Sequence, residues 1–151
     1  MVDKTDTAIL RHLYRNARIS NAELAEAVNL TPTPCLRRLR KMEQSGLIQA
    51  YRAELDYDAL GFGIVALAFV KLVRNSERNA EAFERAVKAL PAVRECSVVT
   101  GSFDYVLRLL ARNLSDYEVI LKKQLGAIDT VADIESTIVL KQVQCSAGLP
   151  D

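Results

Sequence analysis

The sequence is poor in the residues that build catalytic and metal sites. It has one histidine, three cysteines and no tryptophan in 151 residues. A lone histidine has no second one with which to bind a metal, and no Ser/His/Asp set, paired-cysteine motif or phosphate-binding glycine loop is present. We therefore expect no catalytic residues, no metal ion and no cofactor.

The sequence also lacks signs of export or of membrane insertion. Cys35, Cys96 and Cys145 are odd in number and far apart, which favours reduced thiols over a disulfide framework. We expect Cys35 and Cys96 to pack as small apolar side chains. The longest apolar run, residues 61–73, falls short of the roughly 20 residues of a membrane helix, and the first residues lack a signal-peptide core. These absences predict a cytoplasmic protein.

The net charge is only +1, so the chain is not a general polycation. Any binding to nucleic acid must depend on a local cluster of basic residues. Such a cluster lies at residues 37–41.

Residues 31–43 predict a helix with a basic outer face. Thr31 suits the N-cap, where its hydroxyl accepts a bond from a first-turn N–H, and Pro32 suits the first helical position. On a helical wheel one stripe is apolar and predicted to be buried: Cys35, Leu36, Leu39 and Met42. The rest of the surface carries Thr33, Pro34, Arg37, Arg38 and Lys41, with Arg40 at its margin.

The residues before this helix predict a helix-turn-helix. Asp3 is placed to cap a first helix, and Ser20-Asn21-Ala22-Glu23 forms a capping box for a second. Asn29 then stands where a left-handed residue ends that helix. After Gly46, the alternation in residues 47–55 predicts a strand, either a wing or a strand that pairs in a dimer.

The rest of the chain predicts a βαββαβ order, which is the ferredoxin-like arrangement of an antiparallel sheet with both helices on one face. Strands are predicted at 63–73, 93–100, 103–112 and 131–143. Helices are predicted at 77–90 and from a capping box at Ser115-Asp116-Tyr117-Glu118 to Gly126. Several strands are apolar on both faces, so we expect a second copy to cover the outer face in a homodimer.

These patterns divide the chain and define an α+β fold. We expect an N-terminal helix-turn-helix (winged-helix-like) domain at 1–55 and a linker at 56–62. A C-terminal ferredoxin-like domain at 63–143 and a tail at 144–151 complete the chain.

The basic helix is a candidate site for double-stranded DNA. Its start at Thr31, with Thr33, Pro34 and Arg37 early on the exposed face, lies where recognition helices reach base edges. Arg38, Arg40 and Lys41 are better suited to phosphates. Charge alone would favour an ordinary solvated face, whereas the two-helix spacing favours DNA binding.

A second candidate site lies at a predicted turn. Gly101 permits a positive φ, its neighbouring N–H groups suit an α-carboxylate, and Asp104 suits an α-ammonium. From spacing alone, a plain hairpin turn is the better interpretation.

Motifs in both halves carry a family resemblance. They are Ile19-Ser20, Glu23-Leu24-Ala25, residues 30–38, Glu43, Gly46-Leu47-Ile48, Tyr51 with Ala53, residues 99–105, Leu114-Ser115-Asp116-Tyr117 and residues 136–140. With these motifs most of the chain resembles the leucine-responsive and asparagine-responsive (Lrp/AsnC) transcription regulators, and residues 30–38 are especially similar to the leucine-responsive branch. Asn29 and Ala50 replace usual glycines, and Ile134 and Ser136 replace common threonines.

The resemblance implies a DNA-binding transcription regulator, associated with the nucleoid, that responds to an amino-acid effector. It implies homodimers that assemble further, often to octamers, and effector binding between dimers. The implied effector residues are Gly101, Ser102, Phe103 and Asp104, with Leu114, Ser136, Thr137 and Ile138 as weaker candidates. Paired recognition helices imply a pseudo-palindromic operator. The alternatives are an architectural DNA-binding protein without an effector and an amino-acid-sensing regulatory subunit of an enzyme.

Overall fold

The computed structural model describes residues 2–143, and residues 2–54 and 55–142 form two compact units. The first unit contains three helices, α1 (Lys4–Arg15), α2 (Asn21–Ala27) and α3 (Pro32–Gln44). Their buried core consists of Ile9, Leu13, Leu24, Ala25, Cys35 and Met42. The helix-turn-helix predicted from the sequence is thus present.

Local signals fix the starts of α1 and α2. The Asp3 side chain accepts from the Asp6 N–H while the Asp6 side chain accepts from the Asp3 N–H, which makes a capping box. Ser20 and Glu23 form the second, predicted box in the same way. Each box satisfies backbone donors that a helix start leaves unpaired.

The turn between α2 and α3 depends on Asn29, whose φ of 56° lies in the left-handed region, as predicted. The expected capping bond from Thr31 is wrong. Thr31 occupies the N-cap with extended backbone, but its side chain makes no capping hydrogen bond. The third helical position is Pro34, and its missing N–H removes one of the two donors that such a cap uses.

The predicted strand at 47–55 is absent from the single chain, and its pairing in a dimer stays a prediction. These residues lack regular secondary structure, and Leu47, Tyr51 and Leu55 are about half exposed. The described part of this unit holds only helices, so the segment has no strand of the same chain with which to form a ladder.

Residues 56–62, expected as a linker, form a turn in which the Asp56 carboxylate accepts from the Ala59 N–H at 3.1 Å. The domain boundaries stay a prediction, and the tail at 144–151, with Cys145, lies outside the described residues.

The second unit has the ferredoxin-like topology predicted from the sequence. Its elements are β1 (Ile64–Leu72), α4 (Glu77–Lys88), β2 (Val93–Val98), β3 (Tyr105–Ala111), α5 (Leu114–Val119) and β4 (Val131–Ile138). The helix α5 continues as a π-helical turn over Ile120–Leu125. The sheet order is β2-β3-β1-β4, with every neighbouring pair antiparallel.

One face of the sheet forms the core of this unit. Alternate residues of β1 and β3 are buried under the helices: Ala66, Ala68, Val70 and Leu72, with Tyr105, Leu107 and Leu109. The Phe83 ring of α4 lies 4.7 Å from the Tyr105 ring, centroid to centroid. The helices thus cover one face only, because side chains alternate across a strand.

Three expectations for this unit need correction. Asn113, not Ser115, caps α5, because its side chain accepts from the Asp116 N–H at 2.9 Å. β4 ends at Ile138 rather than at 143, with a last backbone bond from the Val139 N–H to the Val65 carbonyl at 2.8 Å. Cys96 is exposed on the edge strand β2, whereas Cys35 is fully buried as expected.

Replacing Asn29 by alanine tests the turn before α3. Alanine adopts the left-handed region at a higher cost than asparagine, whose short polar side chain can form a local hydrogen bond. Asn29→Ala should therefore lower the free energy of unfolding by about 1 kcal/mol. Asn29→Gly should match or exceed the wild type. Denaturant titrations of the full chain give both values, and equal stability of the alanine and glycine variants would contradict this assignment.

Candidate DNA interface and effector site

The outward face of α3 carries a cluster of exposed polar side chains. Thr33, Arg37, Arg40, Lys41 and Gln44 are all exposed. Together with Leu36 they line a shallow groove of about 400 Å³. Their spacing places them along one side of the helix, so a single surface offers both cations and neutral hydrogen-bonding groups.

Two residues of this groove were not predicted as site residues. Leu36 was assigned to the buried stripe, but it is partly exposed and lies outside the core that holds Cys35 and Met42. Gln44 was overlooked, although it stands three and seven residues beyond Lys41 and Arg37, on the same helical face. The periodicity of the basic residues contained the signal for Gln44.

The other predicted DNA residues lie near the start of α3. Thr31 is exposed at the N-cap, and Pro34 is half-buried in the first turn. Both lie next to Thr33, at the end of the helix that recognition helices direct toward base edges.

Arg38 does not stand with the outward cations. Its Nη1 donates to Asp3 Oδ2 at 2.6 Å and to Asp6 Oδ1 at 2.8 Å, so it faces the start of α1. These two carboxylates raise the pKa of Arg38, and the Asp6 N–H and Arg38 together lower the pKa of Asp3. The expectation that Arg38 points outward with the other cations is therefore wrong.

The candidate effector turn has the predicted backbone. Gly101 has a φ of +116°, and a Cβ built on it would meet no atom within 4 Å, so the turn faces open space. Lys71 on β1 donates from Nζ to the Ser102 carbonyl at 3.1 Å. Phe103 is half-buried, with its ring 5.8 Å from that of Phe69. A cationic group therefore lies directly beside the turn.

Asp104 is engaged within its own unit. Its Oδ2 accepts from the Leu72 N–H at 2.8 Å, and its Oδ1 accepts from Asn75 Nδ2 at 3.0 Å. The carboxylate that the sequence assigned to an α-ammonium thus joins the turn to the end of β1. This contact could not be read from the sequence, because Leu72 donates through its backbone.

The remaining effector candidates lie toward the other end of the sheet. Ser136, Thr137 and Ile138 pair with Ala68, Leu67 and Ala66, from the middle of β1 toward its start, and Leu114 follows β3 at that starting end. The seven residues of β3 separate Leu114 from Asp104 by roughly 23 Å. One chain therefore does not bring Leu114 to the turn.

The residues of this second set also point to different faces. The Ser136 hydroxyl accepts from the Tyr117 hydroxyl at 2.6 Å on the helix side, where Ile138 packs against the core. Thr137 is exposed on the opposite face, and Leu114 is 66% exposed. Thr137 and Leu114 are thus the members of this set with free surface.

Residues 2–143 contain no group of three His, Cys, Asp or Glu side chains that could hold a metal ion. Within the same residues, no helix combines the length and the hydrophobicity needed to cross a membrane.

Comparison with known families covers both units. The Lrp/AsnC ligand binding domain matches residues 65–149, and a winged helix-turn-helix DNA-binding domain matches residues 2–49. The chain belongs to the Lrp/AsnC family. Its members are DNA-binding transcription regulators, so the family confirms the function inferred from the helix-turn-helix.

Individual relatives span nearly the whole Lrp/AsnC chain. The leucine-responsive regulatory protein of Rhizobium meliloti is 38% identical over 95% of this chain and 92% of its own. That of Escherichia coli K12 is 36% identical over 98% and 90%. A Neisseria meningitidis transcriptional regulator, solved as a complex with L-methionine, is 34% identical, with a TM-score of 0.92 over 99% of this chain and 97% of its own.

Removing the Asp104 carboxylate tests its role in this Lrp/AsnC chain. Asp104→Ala leaves the Leu72 N–H without a partner and should lower the free energy of unfolding by about 1–3 kcal/mol. Asp104→Asn keeps an acceptor oxygen and should lose less. Thermal or denaturant unfolding of the two variants measures the difference, and an alanine variant as stable as wild type would contradict a structural role.

Proposed function

We propose that this regulator reads a specific operator with the outward face of α3, and that Arg37 is its main base-reading residue. The observation that carries the proposal is the exposed row of Thr33, Arg37, Arg40 and Lys41 along one side of a helix-turn-helix second helix. Arg37 lies early on that row, and a guanidinium can donate two hydrogen bonds to one guanine.

The other groove residues have complementary roles. Arg40 and Lys41 are later on the helix and hold phosphates, which gives affinity but no sequence information. Leu36 offers an apolar surface beside Arg37, and such a surface suits the methyl group of thymine. The operator therefore combines a guanine with a neighbouring thymine on the face that α3 contacts.

Two alanine variants separate base reading from phosphate binding. Arg37→Ala should lower the preference for operator over random DNA about 5- to 150-fold, the discrimination of one bidentate base contact. Lys41→Ala should weaken binding to both DNAs alike and reduce the salt dependence. Gel shifts on a duplex selected by the wild-type protein measure both ratios, and a Lys41-like result for Arg37→Ala would reject its base-reading role.

A second copy of the chain covers the outer face of the sheet in this proposal. That face carries Val65, Leu67, Phe69 and Val106, all only partly buried, opposite the side covered by α4 and α5. Apolar surface of this kind is typical of an interface between copies. Two copies related by two-fold symmetry carry two α3 helices and suit a pseudo-palindromic operator whose half-sites lie about 34 Å apart, or a multiple of that. The operator lies in the cytoplasmic nucleoid in this proposal.

We also propose an amino-acid effector that binds at the Gly101 turn. The relative solved with L-methionine supports an amino acid, and the turn offers open space, backbone N–H groups and the Lys71 ammonium for an α-carboxylate. Because Leu114 lies at the opposite end of the sheet, its participation requires a second copy. The effector then acts between dimers, and it favours the assembly state, up to an octamer, that completes its site.

A thermal-shift screen of the twenty amino acids tests the effector proposal. A ligand at 100 times its Kd stabilises the folded state by about 2.7 kcal/mol, which should raise the melting temperature by several degrees. L-Methionine and L-leucine are the first candidates, and D-methionine is the control. Lys71→Gln should reduce the shift without lowering the unliganded melting temperature by much. If none of the twenty amino acids raises the melting temperature of the wild-type protein, the effector proposal fails.

A further inference from the structure

The carboxylates of Asp3 and Asp6, at the start of α1, together bind the Arg38 guanidinium. Asp3 Oδ1 and Asp6 Oδ2 close the capping box, and the remaining oxygens, Asp3 Oδ2 and Asp6 Oδ1, both accept from Arg38 Nη1. Every oxygen of the pair therefore has a partner. The Asp6 side chain is only 15% exposed, so this end of the contact is sheltered from solvent.

Arg38 joins α1 to the middle of α3, and two other side chains hold the ends of α3. Asn21 Nδ2 donates to the Pro32 carbonyl at 2.9 Å at the start of the helix. The Tyr51 hydroxyl donates to Glu43 Oε1 at 2.9 Å near its end, and its pKa is raised to about 12 by burial and by that carboxylate. The recognition helix is thus tethered at its start, middle and end.

These hydrogen bonds fix the orientation of α3, which apolar packing alone leaves adjustable. Burial of Cys35 and Met42 holds α3 against the core, but hydrophobic contact is not directional. Hydrogen bonds to a guanidinium depend on distance and angle, so they fix the rotation of α3 and its position along its axis.

We propose that Arg38 is a positioning residue that sets the orientation of α3 for base reading and makes no contact with phosphate. The inference rests on the proposed function, in which α3 reads the operator. A small rotation of α3 displaces the base-edge contacts of Arg37, whereas flexible lysines and arginines still reach phosphates. Loss of Arg38 should therefore reduce specificity more than general affinity.

Arg38→Gln and Asp6→Asn test the proposal, with Lys41→Gln as the matched control. Asp6→Asn removes a charge but keeps an oxygen that can accept the Asp3 N–H, so the capping box is preserved. Arg38→Gln lowers the net charge and Asp6→Asn raises it, so simple electrostatics predicts opposite effects on DNA binding. Positioning predicts the same effect for both: the ratio of operator to random-DNA affinity should fall about tenfold, the worth of one base contact.

The salt dependence supplies the second measurement. Binding to random DNA is measured from 50 to 200 mM salt for each variant. Lys41→Gln should reduce the slope of log affinity against log salt by about 0.9, the value of one phosphate contact, while Arg38→Gln should leave it unchanged. The double variant Arg38→Gln with Asp6→Asn should lose no more specificity than either single variant, because both act through one contact.

Two results would overturn the proposal. In one, Arg38→Gln lowers both affinities equally and reduces the slope as Lys41→Gln does, which identifies a phosphate ligand. In the other, it lowers only the melting temperature and leaves both affinities intact, which identifies a merely structural contact. If Arg38→Gln does not fold, Arg38→Lys and Asp6→Asn carry the test, and Arg38→Lys should retain part of the specificity. A wild-type protein that does not distinguish operator from random DNA would instead refute the proposed function.

Discussion

The orientation of α3 is the constraint on which DNA recognition by this protein depends. Cys35 and Met42 are almost completely buried, so the side of the helix that faces the core is fixed. Because this apolar stripe faces the core, the cations on the opposite side of α3 remain in solvent. Burying them without partners would cost free energy. Directional hydrogen bonds at Pro32, Arg38 and Glu43 then restrict the rotation of α3 and its position along its axis, which apolar packing alone does not.

A comparable division of roles holds in the sheet. Its helix-covered face contains the buried residues that stabilise the unit, whereas its outer face and turns carry the surface offered to other molecules. The antiparallel order also sets a geometric limit, because it places Gly101 and Leu114 at opposite ends of β3. In the proposed site, an effector that contacts both Gly101 and Leu114 is therefore shared between copies, and its binding is linked to assembly.

Features that depend on neighbouring residues could be predicted from the sequence. Features that depend on a partner far away in the chain could not. The cap at Asp3, the capping box at Ser20 and the left-handed Asn29 are local, and the βαββαβ order follows from periodicity. The ion pairs of Arg38 could not be predicted, because its partners lie 32 and 35 residues earlier in the chain. The strand at 47–55 is absent from the single chain for a related reason: alternation shows that a segment suits a ladder but does not identify the strand with which it pairs.

The effector turn shows how such a distant partner changes a chemical assignment. An aspartate near a positive-φ glycine suggests a partner for an ammonium group, yet Asp104 is already bonded to Leu72 and Asn75. The Lys71 ammonium donates only one of its three hydrogens to the Ser102 carbonyl, so it and the backbone N–H groups of the turn favour a carboxylate. In the proposed site the turn therefore receives the acidic end of an amino acid, and the choice among side chains falls to the surface that the proposed second copy supplies.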